Sequence, residues 1–134
     1  MKIKGKNLSS LLLIISDLSE VTQRIFTELS HHTNTTCILL SQNLFYKSAI
    51  YRTASLNSHY IVVFKSPRDI SQLAILARQM FPQNPKYLLS AYLEATKKRY
   101  GYLLLDFRQE TPDILRVRSN LLPSEQPMCV YLEK

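Results

Sequence analysis

The hydrophobic and polar positions of this chain fall into short apolar runs separated by stretches of helical period. Residues 11–15, Leu-Leu-Leu-Ile-Ile, form an unbroken apolar run that predicts a strand covered on both faces. Ser16 or Ser19 suits the cap of a following helix, in which Val21, Ile25, Phe26 and Leu29 recur at helical spacing. Residues 35–40 are β-branched and apolar and predict the next buried strand. Residues 44–56 mix aromatics with Lys47 and Arg52 without a clean period, which fits a short helix or a loop. Residues 59–65 predict a third strand, broken by Ser66-Pro67, because proline cannot donate to a ladder.

Two helices follow. The first spans 69–80, with Ile70, Leu73, Leu76, Ala77 and Met80 on one face. The second spans 86–98, with Tyr87, Leu88, Ala91, Tyr92 and Ala95 on one face and Gly101 as a stop signal. Residues 102–107 predict a fourth strand, 114–118 alternate like an edge strand, and 128–132 form a last apolar segment. Strand, helix, strand, loop, strand, helix pair, strand is the rhythm of a mostly parallel α/β sheet flanked by helices, in one domain over residues 1–134.

Charge changes this picture by adding a partner. Lys and Arg number 17 against 10 Asp and Glu, a formal net charge of +7, which favours a polyanion such as nucleic acid or else describes a solvated basic surface. The two cysteines, Cys37 and Cys129, are far apart and belong to no metal-type cluster, so two reduced thiols and an intracellular protein are expected. The basic leader with Lys2, Lys4 and Lys6 is followed by an apolar run that Ser16-Asp17 interrupts early. No run approaches the roughly 18 apolar residues of a membrane span.

The candidate chemistry lies where strands end. In an open α/β sheet, side chains at the carboxyl ends of neighbouring strands share one crevice. Asp17 and Gln42 follow the first and second strands and are expected to converge there, a carboxylate beside a carboxamide, suited to a metal-bound phosphate and its attacking water. Each residue also has a plainer reading. Asp17 suits a helix N-terminus, Gln42 and Asn43 a turn, Arg52 a surface, and Arg68-Asp69 a capping turn with a local ion pair. His31 and His32 are adjacent and point apart on a helix, a poor metal pair. Lys97-Lys98-Arg99 fits a solvated helix end, and Tyr87, Tyr92, Tyr100 and Tyr102 read as packing residues, although aromatics among cations also bind single strands.

Several blocks in one order carry a resemblance: Leu13-Ile-Ile-Ser-Asp-Leu-Ser-Glu20, Ser30-His-His32, Leu40-Ser-Gln-Asn-Leu-Phe45, Arg52-Thr-Ala-Ser-Leu-Asn57, Val63-Phe-Lys-Ser-Pro-Arg-Asp69, Leu76-Ala-Arg-Gln-Met80, Gly101-Tyr-Leu-Leu-Leu-Asp106 and Glu110-Thr-Pro-Asp113. Over residues 11–122 the chain resembles the genome-packaging ATPases of Maverick/Polinton-type elements and adintovirus-like DNA viruses, in the FtsK/HerA branch of P-loop ATPases. The resemblance implies a Walker B role for Asp17 on Mg²⁺ or water, and a sensor role towards the γ-phosphate for Gln42. It also implies a charge from Arg52 towards a neighbouring subunit's nucleotide, and DNA or subunit contacts for Lys65, Arg68 and Arg78.

ATP and Mg²⁺ are the implied cofactors, with Ser16 and Asn43 beside them. Double-stranded DNA, a homo-oligomeric ring or a separate N-terminal ATPase half, and a capsid protein are the implied partners, with the nucleus or virion as location and no membrane. Departures accompany the match. Ser16 stands where the family carries the first of two acidic residues, and Leu29 where it commonly has Gly. No Gly-x-x-x-x-Gly-Lys-Ser/Thr loop occurs, since Gly5 and Gly101 are the only glycines. The chain therefore looks like the C-terminal half of such an ATPase, with its N-terminal half encoded elsewhere or the gene a decayed copy. Hydrolysis by this polypeptide alone is not expected, because phosphoryl transfer depends on the phosphate loop's positioning and charge.

Overall fold

A computed structural model describes residues 11–15, 24–29, 35–42, 49–68 and 70–133. The chain divides into two compact units, Met1–Ser58 and His59–Lys134.

In the first unit, strands β1 (Leu11–Ile15) and β2 (Thr35–Leu39) pair in parallel, with Leu11 opposite Thr35 and Ile15 opposite Leu39. Between them in sequence, Arg24 leads into a π-helical turn, Ile25–Leu29, whose Ile25 is buried. Helix α1 (Ala49–Asn57) packs against this turn through a face that includes the buried Ala54. The expectation that β2 is buried on both faces is corrected: Thr36 and Ile38 are exposed, and Cys37 and Leu39 are half-buried. Two paired strands form the whole of this sheet among the described residues, so alternate positions of β2 remain in solvent. The helix expected from Val21 is described only from Arg24 onward, and Ser16, Ser19, His31 and His32 lie outside the described residues.

The second unit holds β3 (Tyr60–Phe64), α2 (Ile70–Met80), α3 (Pro85–Ala95), β4 (Tyr102–Asp106), β5 (Val117–Ser119) and β6 (Cys129–Val130). Its four strands lie in the order β3-β4-β5-β6, and every neighbouring pair is antiparallel. The mostly parallel P-loop-like sheet expected from the strand and helix rhythm is therefore wrong. One helix between two strands returns the chain to its starting edge and makes the strands parallel. Here the turn at 81–84 folds α3 back along α2, so the chain re-enters the sheet from the opposite end and β4 runs against β3. The segment read as an edge strand is also different. Asp113–Leu115 is a 3₁₀ turn, and β5 lies inside the sheet between β4 and β6.

The core of this unit sits between the helix pair and one face of the sheet. Leu73, Leu76 and Ala77 of α2 meet Leu88, Ala91 and Ala95 of α3, and Leu103, Leu105 and Val117 point up from the sheet, all buried. Proline at the first position of α3 costs no hydrogen bond there. Two tyrosines then tie that helix to both sheet edges. The Tyr92 hydroxyl accepts from Ser66 N at 2.8 Å and donates to the Phe64 carbonyl at 3.3 Å, and the Tyr87 hydroxyl donates to the Tyr131 carbonyl at 2.7 Å. Gly101 joins α3 to β4 where a Cβ would collide with the Ala95 carbonyl oxygen.

Candidate functional site

The parallel register of β1 and β2 brings their carboxyl ends, Ile15 and Leu39, side by side, as the sequence reading requires. Of the residues placed at those ends, Gln42 is described, in an exposed bend, while Ser16, Asp17 and Asn43 lie outside the described residues. Arg52 stands exposed on α1 in the same unit. Lys65 and Arg68 are exposed on the connection after β3, and Arg78 is exposed towards the end of α2. These three belong to the second unit, and Gln42 and Arg52 to the first. Among the described residues, no three His, Cys, Asp or Glu side chains stand together. The described polar side chains just beyond the strand ends are Ser41 and Gln42, both neutral, which do not by themselves fit Mg²⁺–ATP.

A charged cluster that the sequence reading left without a role forms at the end of β4. Asp106 is fully buried. Its Oδ1 accepts from the Arg108 backbone N–H at 3.1 Å and from Arg108 Nε at 3.2 Å, while Oδ2 accepts from Arg108 at 3.2 Å and from Arg118 at 2.6 Å. Burial works to raise this carboxyl, but the Arg108 side-chain and backbone hydrogen bonds outweigh it and hold Asp106 below the usual aspartate value. Arg116 closes the loop around it by donating to the Asp106 and Arg108 carbonyls at 3.2 and 3.0 Å and to Asp113 at 2.7 Å.

Most donors in this cluster are thus consumed within it, and what it does is fix the β4–β5 connection. A signal was present in the sequence: Leu103-Leu-Leu-Asp106 repeats the apolar-run-then-acid pattern of the segment ending at Asp17, with arginines two, ten and twelve residues on.

The sheet face opposite the helices is open. Along β3, exposure alternates, with Tyr60, Val62 and Phe64 outward at 44%, 44% and 60%. Their register partners Asp106, Leu104 and Tyr102 share that face. At the Phe64 end, a groove of about 490 Å³ runs between Phe64, Tyr100, Leu104 and Leu122. Its floor is fixed by Tyr102, whose hydroxyl donates to Glu125 Oε2 at 2.7 Å and accepts from Leu121 N at 3.0 Å. Burial and the hydrogen bond to Glu125 raise the Tyr102 phenol, while the same bond lowers Glu125. Lys98 donates to Asn120 and to Glu125 across the rim, the latter at 3.3 Å.

The packing role expected of the tyrosines fits Tyr87, Tyr92 and Tyr102, but Tyr100 is 77% exposed at φ 60°, with the Arg99 guanidinium 4.8 Å from its ring centre. At the other end, Arg108 lies 5.0 Å from the ring centre of Tyr60. Residues 60–64 are uniformly apolar, so their pattern does not separate this face from the covered one. No known family, curated protein or solved structure matches the chain.

Proposed function

We propose that the chain is a DNA-handling part of a genome-packaging ATPase, coupling ATP hydrolysis to DNA movement only when a phosphate loop is supplied by another polypeptide segment. The observation that carries this reading is the parallel, in-register pairing of β1 with β2, which sets the two strand ends beside one another with Gln42 exposed just beyond. Neighbouring strand ends of this kind are where open α/β folds collect ligand-binding side chains. The ordered sequence blocks and the net charge of +7 add to it. Asp17 supplies the charged group of that site and Gln42 the neutral one. The absence of a phosphate-loop sequence makes turnover by this chain alone negligible.

The test is Mg²⁺-dependent ATP turnover in the presence of duplex DNA, by the chain alone and with any polypeptide from an adjoining reading frame found to carry a phosphate loop. Turnover is expected only in the mixture, and Asp17→Ala is expected to abolish it. A mixture that stays inactive, or one whose turnover ignores Asp17→Ala, contradicts the reading. A second reading, a basic binding module without turnover, is favoured by the open face of the second unit.

A further inference from the structure

We infer that the open face of the antiparallel sheet is a binding platform for single-stranded nucleic acid, with bases stacking on Phe64, Tyr100 and Tyr60 and the backbone held by Lys65, Lys98 and Arg99. This inference stands on the second unit and does not rest on the nucleotide reading of the first.

Ring exposure comes first. Burial is the ordinary fate of an aromatic side chain, yet Phe64 and Tyr100 present 60% and 77% of their surface around one apolar groove. Tyr60 is outward on the same strand as Phe64, four residues away, which is about 13 Å at the rise of an extended chain. That span places stacking surfaces at both ends of a run of a few nucleotides, with Val62 and Leu104 as the apolar stretch between them.

Charge then selects the occupant. Lys65 follows Phe64 directly in the chain and is exposed, Arg99 lies against the Tyr100 ring, and Lys98 reaches Glu125 on the groove wall. Among the described residues that line the groove the one carboxylate is Glu125, which is paired with Lys98 and whose oxygens also accept from Tyr102 and Leu122 N. A basic rim on an apolar floor is complementary to a chain with phosphates outside and flat apolar bases inside. Duplex nucleic acid needs the cations and has no use for the exposed rings, because its bases are stacked on each other. An apolar protein partner would use the rings and gain nothing from the three cations. At the Tyr60 end, Arg108 stacks on the ring while its other donors hold Asp106, so this end contributes stacking more than charge.

The experiment is fluorescence anisotropy of labelled oligothymidylate, oligouridylate and a mixed-sequence duplex with the full chain, at low and moderate salt. Both single strands are expected to bind more tightly than the duplex, by about ten-fold or more. Phe64→Ala and Tyr100→Ala are each expected to weaken single-strand binding by about five-fold or more, the scale of one lost base–aromatic stack. Tyr100→Ala is the variant least exposed to a folding defect, since the side chain is 77% exposed, and circular dichroism of both variants separates unfolding from lost contact. With three cations engaged, the logarithm of affinity falls with the logarithm of salt at a slope of about −2, and Lys98→Gln with Arg99→Gln reduces the slope to about −0.7. Equal or tighter binding of the duplex, folded aromatic variants that bind normally, or no binding alongside self-association relieved by Phe64→Ala would overturn the inference. A preference between the two single strands reports the 2′-hydroxyl and the thymine methyl together and supports it either way.

Discussion

Along β4, Leu103 and Leu105 are wholly buried beneath the helix pair, while on the other side of the same sheet Val62 and Phe64 keep 44% and 60% of their surface in water. Both faces are apolar in composition, so hydrophobicity alone does not tell core from surface. The difference lies in what covers each face. The helix side is sealed by α3, pinned at its two tyrosines, whereas the far side is held open between a charge knot at Asp106 and a hydrogen-bonded corner at Tyr102 and Glu125. Each end of the open face thus has its own polar brace.

The strongest break of this comparison is on the sealed side. Leu105→Ala should cost about 2–5 kcal/mol of stability in chemical unfolding, because a side chain held by β3, β5 and the helices leaves a cavity. The equivalent truncation on the open side, Val62→Ala, should cost about 1 kcal/mol or less.

Next is Asp106→Ala, which strands Arg108 and Arg118 against a dry carboxylate site. About 3 kcal/mol is expected, the low end for breaking a buried pair, since Arg108 is 37% exposed. The same carboxyl predicts an acid response. Its folded value lies below its unfolded one, so its contribution is complete above the ordinary aspartate value of about 3.9 and is lost as pH falls below it through the depressed folded value. Urea midpoints of the natural chain should drop over that acid range, and those of Asp106→Asn should drop less.

Gly101→Ala is expected to cost about 1–3 kcal/mol, because the added methyl meets backbone at the end of α3 and must push β4 from the helix. Thermal unfolding measures it. The smallest stability effect should come from Phe64→Ala, within about 1 kcal/mol, although the same change is expected to weaken strand binding severalfold. A variant that loses stability and binding in proportion would show that the open face is merely core left uncovered.

Much of the second unit was legible in the sequence. The strand expected at 59–65 and the helical periods at 69–80 and 86–98 correspond to β3, α2 and α3 within a residue or three, since a short apolar run and helical spacing both record local burial. Strand direction was legible and misread. A buried strand such as Leu103-Leu-Leu-Asp106 reads the same whichever way it runs, but the two helices at 69–80 and 86–98 that precede it return the chain from the opposite end of the sheet. The interior place of β5 was hidden: Val117 and Ser119 are buried and Arg118 is half-buried, so the charged side chain made a central strand look like an edge. At the ends of β1 and β2, the adjacency of the strands was legible from two apolar runs, but the convergence of Asp17 with Gln42 depends on residues outside the described set. Arg108 is two residues from Asp106 and was within reach of a sequence reading, whereas Arg116 and Arg118 come to it only through the pairing of β4 with β5.

One face of this sheet is core, and the other is proposed to bind bases. Methyl and aromatic NMR spectra recorded while oligothymidylate is added test it directly, since Val62, Leu104, Phe64 and Tyr100 report the open face and Leu88, Leu103 and Leu105 the sealed one. The predicted result is saturable shifts of the first group with the second unmoved. Shifts absent from the first group, or spread equally over both, would contradict it.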